Sequence, residues 1–142
     1  YDPAEMNPIG ILKEVNRAGI RATANFLIGF RDETWESILK TKEFAKILFL
    51  NGLDSAGFAI PVPYPGTLDF EYQMTKSDVC KDFNENLLKY TDHMHVRGAP
   101  QFHTKVPGEK LQAAVREFWE ELNGDDYIRA SKSMSASYDH PT

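Results

Sequence analysis

The sequence predicts an α/β fold built on a parallel βαβ unit, the repeating piece of an α/β barrel or an open α/β sheet. Three observations predict it. The run Ile20–Phe30 carries no charge after Arg21 and is apolar at Ala22, Ala24, Phe26, Ile28 and Phe30, with Leu27 on the other face. A strand apolar on both faces is what the wall of a parallel sheet or barrel requires. A second strand pattern, Ala56, Phe58 and Ile60, ends at Pro61, since Pro61, Pro63 and Pro65 forbid a continued central ladder. One helical run, Trp35 to Leu50, separates the two, and that spacing makes a right-handed crossover the default.

Each element has its own local reason. Asn7-Pro8 reads as an N-cap followed by proline at the first helical position. Ile11, Leu12, Val15 and Ala18 recur at helical spacing until Gly19 stops the helix. Gly29, at the end of the first strand, permits positive φ or a close approach. Thr34 is the N-cap candidate of the next helix, with Glu33 and Glu36 near the positive end of its dipole. Ile38, Thr41, Ala45 and Leu48 form its inward stripe, Glu36 and Lys40 an exposed pair, and Asn51-Gly52 its end. Tyr64-Pro65-Gly66-Thr67 has proline and glycine at the central positions of a type II turn.

Beyond residue 74 the pattern becomes helical. Thr75 or Ser77 starts a helix with Val79, Phe83, Leu87 and Tyr90 on one face, and residues 93–104 are irregular. Pro107-Gly108-Glu109 opens another helix, with Leu111, Val115, Phe118, Trp119 and Leu122 as its core face and Gly124 as its end. The serine-rich run from Ser131 has little to bury and is expected to be disordered. The expected division is therefore a barrel segment over residues 1–74, a helical C-terminal extension over 75–128 and a tail over 129–142. Two strands make a poor independent sheet. The chain is thus expected to be part of a larger barrel, or to pair with a copy of itself.

Composition narrows the function. The chain has 142 residues, 42% apolar and 26% charged, as in ordinary globular domains. A net charge of −5 argues against broad capture of nucleic acid or anionic lipid. No apolar run approaches the ~20 residues of a membrane span. The chain opens Tyr1-Asp2-Pro3 with no basic and apolar leader, so no targeting segment is expected, and the single cysteine, Cys80, fits a reducing cytoplasm. Cys80 cannot form an internal disulfide or a cysteine-rich metal cage. His93, His95 and His103 lack a matching carboxylate or cysteine pattern, so no metal site is expected from them.

Phe26-Leu27-Ile28-Gly29-Phe30, then Glu33-Thr34-Trp35-Glu36 and a helix through Phe44-Ala45, resembles the GxIxGxxxE region of radical S-adenosylmethionine (radical SAM) enzymes. Pro63-Tyr64-Pro65-Gly66-Thr67 is similar to the PyPGT segment of the subgroup that often carries an N-terminal cobalamin-binding domain. That subgroup includes methyltransferases and Fe–S oxidoreductases such as the anaerobic Mg-protoporphyrin monomethyl ester cyclase of tetrapyrrole biosynthesis. The likeness covers residues 7–67. It departs at Asn25, where the motif has glycine, and at Arg31-Asp32, where Pro-Gly is usual. The cluster-binding CxxxCxxC is absent.

The resemblance implies a partial (β/α) barrel of the TIM type, later strands only, with a helical extension. The parent would use S-adenosylmethionine and a [4Fe–4S] cluster, leaving cobalamin open, and its missing N-terminal half would be this chain's partner. The fragment alone would be inactive. Asn25, Leu27, Gly29 and Glu33 would lie on the cofactor side, with Leu27 at the apolar position that packs adenine, and Tyr64 on the substrate side. Each has a plainer structural reading. Leu27 fits barrel core and Gly29 fits turn geometry. Glu33 fits a cap, Asn25 a hydrogen bond within a buried strand, and Tyr64 packing under its turn. Two other classes compete: a non-enzymatic α/β binding or assembly module with a covered strand edge, and a different barrel enzyme using Glu33 as general base.

Overall fold

The computed structural model describes residues 7–76 and 103–125. The element order is α1 (Pro8–Arg17), β1 (Thr23–Leu27), α2 (Trp35–Leu50), β2 (Ser55–Ala59), α3 (Leu68–Lys76) and α4 (Gly108–Asn123). The strands β1 and β2 form a two-stranded sheet. Asp54 N–H donates to Ala22 C=O before the strands, and Ile28 N–H donates to Ala59 C=O after them. Pairing therefore advances the same way along both strands, which makes the sheet parallel. The fold is mixed α/β, with a βαβ crossover through α2.

Several elements start and stop where local chemistry dictates. Asn7 Oδ1 accepts the Gly10 N–H at 2.8 Å, and α1 closes with Gly19 at φ 72°. Thr34 Oγ1 accepts the Ser37 N–H at 3.2 Å and caps α2. Thr67 N–H donates to Tyr64 C=O at 3.1 Å with Gly66 at φ 90°, which gives the type II turn its required left-handed third residue. The strand from Ile20 to Phe30 is shorter than its apolar run, because the chain pairs only over Thr23–Leu27.

By contact density the described chain divides into two compact units, one within residues 1–26, 40–57 and 118–142 and the other within 27–39 and 58–117. In the first, Leu12, Ala45, Leu48, Phe49, Leu53 and Leu122 are buried. Asn16 Nδ2 donates to Leu12 C=O and Gly52 C=O, joining α1 to the turn after α2. Asn123 Oδ1 accepts from the Ala56 N–H at 3.0 Å, and its Nδ2 donates to the Ala56 C=O at 2.9 Å. Glu121 pairs with Lys42 and Lys46, and the hydrogen bond from Lys42, followed by that from Lys46, holds its carboxyl below the usual range.

In the second unit, Ile28, Ile38, Phe58, Phe70, Val106 and Leu111 are buried. Lys105 N–H donates to Arg31 C=O at 2.9 Å. Gln73, buried in α3, donates to His103 C=O and accepts the His103 N–H, pinning that segment by its main chain. α4 begins after Pro107 and buries Leu111 and Ala114 here.

Three expectations change. β1 is not apolar and buried on both faces: Ala24 and Phe26 are half-buried, but Thr23, Asn25 and Leu27 are exposed. Trp119 is not a core residue but 53% exposed, since its neighbour Phe118 takes the buried position. Thr75 does not start a helix; it sits near the end of α3, with its hydroxyl donated to Tyr72 C=O. α3 itself follows directly on the Tyr64–Thr67 turn. The helix expected around Val79, Phe83, Leu87 and Tyr90, Cys80, His93, His95 and the serine-rich tail lie outside the described residues.

α2 carries apolar side chains on more than one side, interleaved with exposed charged ones such as Glu36, Lys40 and Glu43. Beside its buried Ile38, Ala45, Leu48 and Phe49, it leaves Leu39, Phe44, Ile47 and Leu50 between 37% and 44% exposed. Among the described residues no helix is long and apolar enough to cross a membrane.

Candidate functional site

In parallel α/β structures, ligands collect at the carboxyl ends of the strands. The segments that leave β1 and β2 there border an open cleft of ≈ 590 Å³, lined by Phe30, Arg31, Asp32 and Glu33 after β1 and by Pro61 to Tyr64, Thr67 and Asp69 after β2. All of these residues belong to the second unit.

The first wall is fixed by one carboxylate. Gly29 turns the chain out of the sheet at φ 92°, and its backbone is buried. Glu33 Oε2 accepts the Gly29 N–H at 2.7 Å and the Phe30 N–H at 3.2 Å, while Oε1 accepts the Ser37 hydroxyl at 3.3 Å. Glu33 N–H closes the same turn on Phe30 C=O. The negative end of Glu33 therefore replaces the next strand residue as the acceptor for two main-chain donors. Its first geometric role is to hold the turn.

Glu33→Ala is expected to destabilise the chain by about 1–3 kcal/mol, because the Gly29 and Phe30 N–H groups lose their acceptor. Glu33→Gln keeps an acceptor oxygen and is expected to lose less than half as much. Urea unfolding midpoints of the two variants check this, and an alanine variant as stable as the parent chain would rule it out.

Arg31 is equally committed. Its guanidinium carbon lies 4.3 Å from the centroid of the Tyr72 ring, Nε is 3.0 Å from Asp32 Oδ2, and Nη1 is 3.9 Å from Asp69 Oδ1. The Asp32 hydrogen bond first, then the charges of Asp32, Asp69 and Tyr72, raise the pKa of the guanidinium. Tyr72 also faces His103, with ring centroids 6.2 Å apart. In the second wall, Thr67 donates its hydroxyl to Tyr64 C=O and accepts the Phe70 N–H, so one side chain closes the turn and caps α3.

Of the residues singled out in the sequence, Glu33 and Tyr64 line this cleft, and Gly29 supports it through Glu33. Leu27 is 51% exposed at the end of β1. Asn25 belongs to the first unit and does not line the cleft. The expectation that Asn25 sits in a buried strand is corrected: it is exposed, and its Oδ1 lies where a Cβ on Gly57 would come within 2.4 Å. His103 contributes its main chain to Gln73, and no group of three or more metal-ligating side chains exists among the described residues. Sequence reasoning missed Arg31, Asp32 and Asp69. The charged pair directly after an apolar strand was the signal for Arg31 and Asp32; Asp69 had none, since its partner Arg31 lies far along the chain.

No protein-family model matches the chain, and no solved structure matches it. Among curated proteins, one from Pyrococcus horikoshii, named as an uncharacterized methyltransferase, is 33% identical over 111 residues. The match takes in 78% of this chain and 23% of that protein, so the chain spans less than a quarter of its relative's length.

Proposed function

We propose that this chain is a wall segment of a larger S-adenosylmethionine-dependent enzyme of the radical type, contributing the cofactor and substrate side of a partial (β/α) barrel and inactive by itself. The observation that carries the reading is Leu27. It is an apolar side chain 51% exposed at the carboxyl end of a parallel strand, directly before the turn that Glu33 holds. Such a position offers van der Waals surface to a nucleoside base. The named methyltransferase relative and the order of the two motifs across α2 support the same reading. The part-exposed Leu39, Phe44, Ile47 and Leu50 of α2 fit a larger protein.

The cofactors divide by fit. For S-adenosylmethionine, Leu27 would pack against the base, with Gly29 and Glu33 shaping the turn beside it; when bound, it would supply a methyl group, leaving S-adenosylhomocysteine, or, on taking one electron from a reduced cluster, a 5′-deoxyadenosyl radical, leaving methionine. A [4Fe–4S] cluster does not fit the donors present, since the chain has one cysteine. Cluster ligands, and any cobalamin domain, would belong to polypeptide outside these residues. That polypeptide is then the partner of the open face of β1, with self-association of the chain as the alternative occupant.

The test uses the complete gene product, purified without oxygen and supplied with iron and sulfide. Cluster absorbance and release of 5′-deoxyadenosine on reduction are expected. Leu27→Asp is expected to weaken S-adenosylmethionine binding about tenfold or more, the loss of one apolar contact plus the burial of a charge. A complete protein with no cluster, no deoxyadenosine and unchanged affinity in the variant would refute the reading.

A further inference from the structure

We propose that the cleft at the carboxyl ends of β1 and β2 binds a small organic cation with a flat apolar body, of the arylalkylamine class, with Phe30 and Tyr64 against the ring and Asp32 facing the ammonium group.

Shape and surface come first. The walls present Phe30 and Tyr64, 52% and 59% exposed, around Pro61, Val62 and Pro63. Two open aromatic rings and a run of rigid apolar residues suit a planar group, which gains contact area at small entropic loss.

Charge then selects the sign. The lining holds the carboxylates of Asp32, Glu33 and Asp69 against the single guanidinium of Arg31. Arg31 is a weak anion hook, because Asp32 bonds its Nε, Asp69 lies 3.9 Å from Nη1 and Tyr72 lies under its guanidinium, so its charge is already partly neutralised. A phosphate or carboxylate entering the cleft would meet three carboxylates against one guanidinium that Asp32 already partly neutralises. Glu33 spends its oxygens on Gly29, Phe30 and Ser37. Asp32 is different. Its side chain is 83% exposed, and Oδ1 accepts no hydrogen bond among the described residues. The Tyr64 hydroxyl likewise has no partner among them. The polar groups left over are thus a charged acceptor and a hydroxyl, which complement a donor-bearing cation. Aromatic faces add to the attraction for the same charge.

Three probes of one shape and different charge test this on the full chain: tryptamine, tryptophol and indole-3-acetate, each titrated while backbone amide shifts are followed by NMR. Tryptamine is expected to bind about two- to fivefold tighter than tryptophol, the scale of an exposed ion pair, with indole-3-acetate weakest and shifts centred on Phe30, Asp32 and Tyr64. Asp32→Asn keeps an acceptor for Arg31 Nε and is expected to erase the preference for tryptamine. Phe30→Ala is expected to weaken all three. Equal affinity for the probes, a preference for the acetate, no shifts in the cleft, or an unchanged preference in Asp32→Asn would overturn the proposal. None of these readouts involves S-adenosylmethionine or a cluster, so failure here and failure of the radical reading are separate results.

Discussion

Gly29→Ala is expected to destabilise the chain by about 2–4 kcal/mol, and to do so by two separable routes. The first is backbone conformation. Gly29 holds φ 92°, a left-handed value that costs an L residue about 1–2 kcal/mol. The second is space. A Cβ at this position would lie 2.6 Å from Leu111 Cδ1, and Leu111 is fully buried. Overpacking of that kind costs about 1–3 kcal/mol, moderated because the obstacle is the end of a flexible side chain. The routes separate in a double-mutant cycle. Leu111→Ala removes the clash but leaves the strained φ, so the double variant should be more stable than the sum of the singles by at least about 0.5 kcal/mol. Chemical unfolding of the four proteins measures it. A Gly29→Ala chain with an unshifted midpoint would show that the turn after β1 can take another path.

Asn123→Ala is expected to be as severe, at about 2–4 kcal/mol. The Asn123 side chain makes four hydrogen bonds: it accepts from Ala56 N–H and from the Ser55 hydroxyl, and donates to Ala56 C=O and Trp119 C=O. Ala56 is fully buried, so truncation leaves its N–H and C=O dry and without a partner, each worth about 1–3 kcal/mol. Asn123→Asp separates the two halves of this pairing. It keeps an acceptor for the Ala56 N–H but brings a charged oxygen to the Ala56 C=O, and is expected to lose at least half as much stability. Amide hydrogen exchange at Ala56 gives the local readout. Protection unchanged in the alanine variant would mean that another group takes over.

How much of this is legible in the sequence depends on the range of the interactions. Asn7-Pro8, Thr34 and the Tyr64–Thr67 turn are local devices, and each sits where its residues require. α2 covers Trp35–Leu50 as its pattern indicates, and the crossover it makes is parallel. α3 was not legible as a helix, because its first turn is hidden in the preceding one: Thr67 closes the turn and caps the helix with the same hydroxyl. Its buried members include Gln73, whose partner is the main chain of His103 far along the sequence. The cleft has the same difficulty. Phe30 to Glu33 and Tyr64 stand out by position, but the pairing of Arg31 with Asp69 and Tyr72 joins segments that the sequence does not place together. Nor can an apolar run state which of its faces its own chain will cover. β1 shows that most plainly, at Asn25 and Leu27.

The hold of Asn123 on Ala56 also gives the sheet a direction of growth. An amide that occupies both main-chain groups of Ala56 stands where a neighbouring strand would have to lie. A strand added on that flank of Ser55–Ala59 would first have to displace the Asn123 side chain, so the sheet extends more readily past Thr23–Leu27.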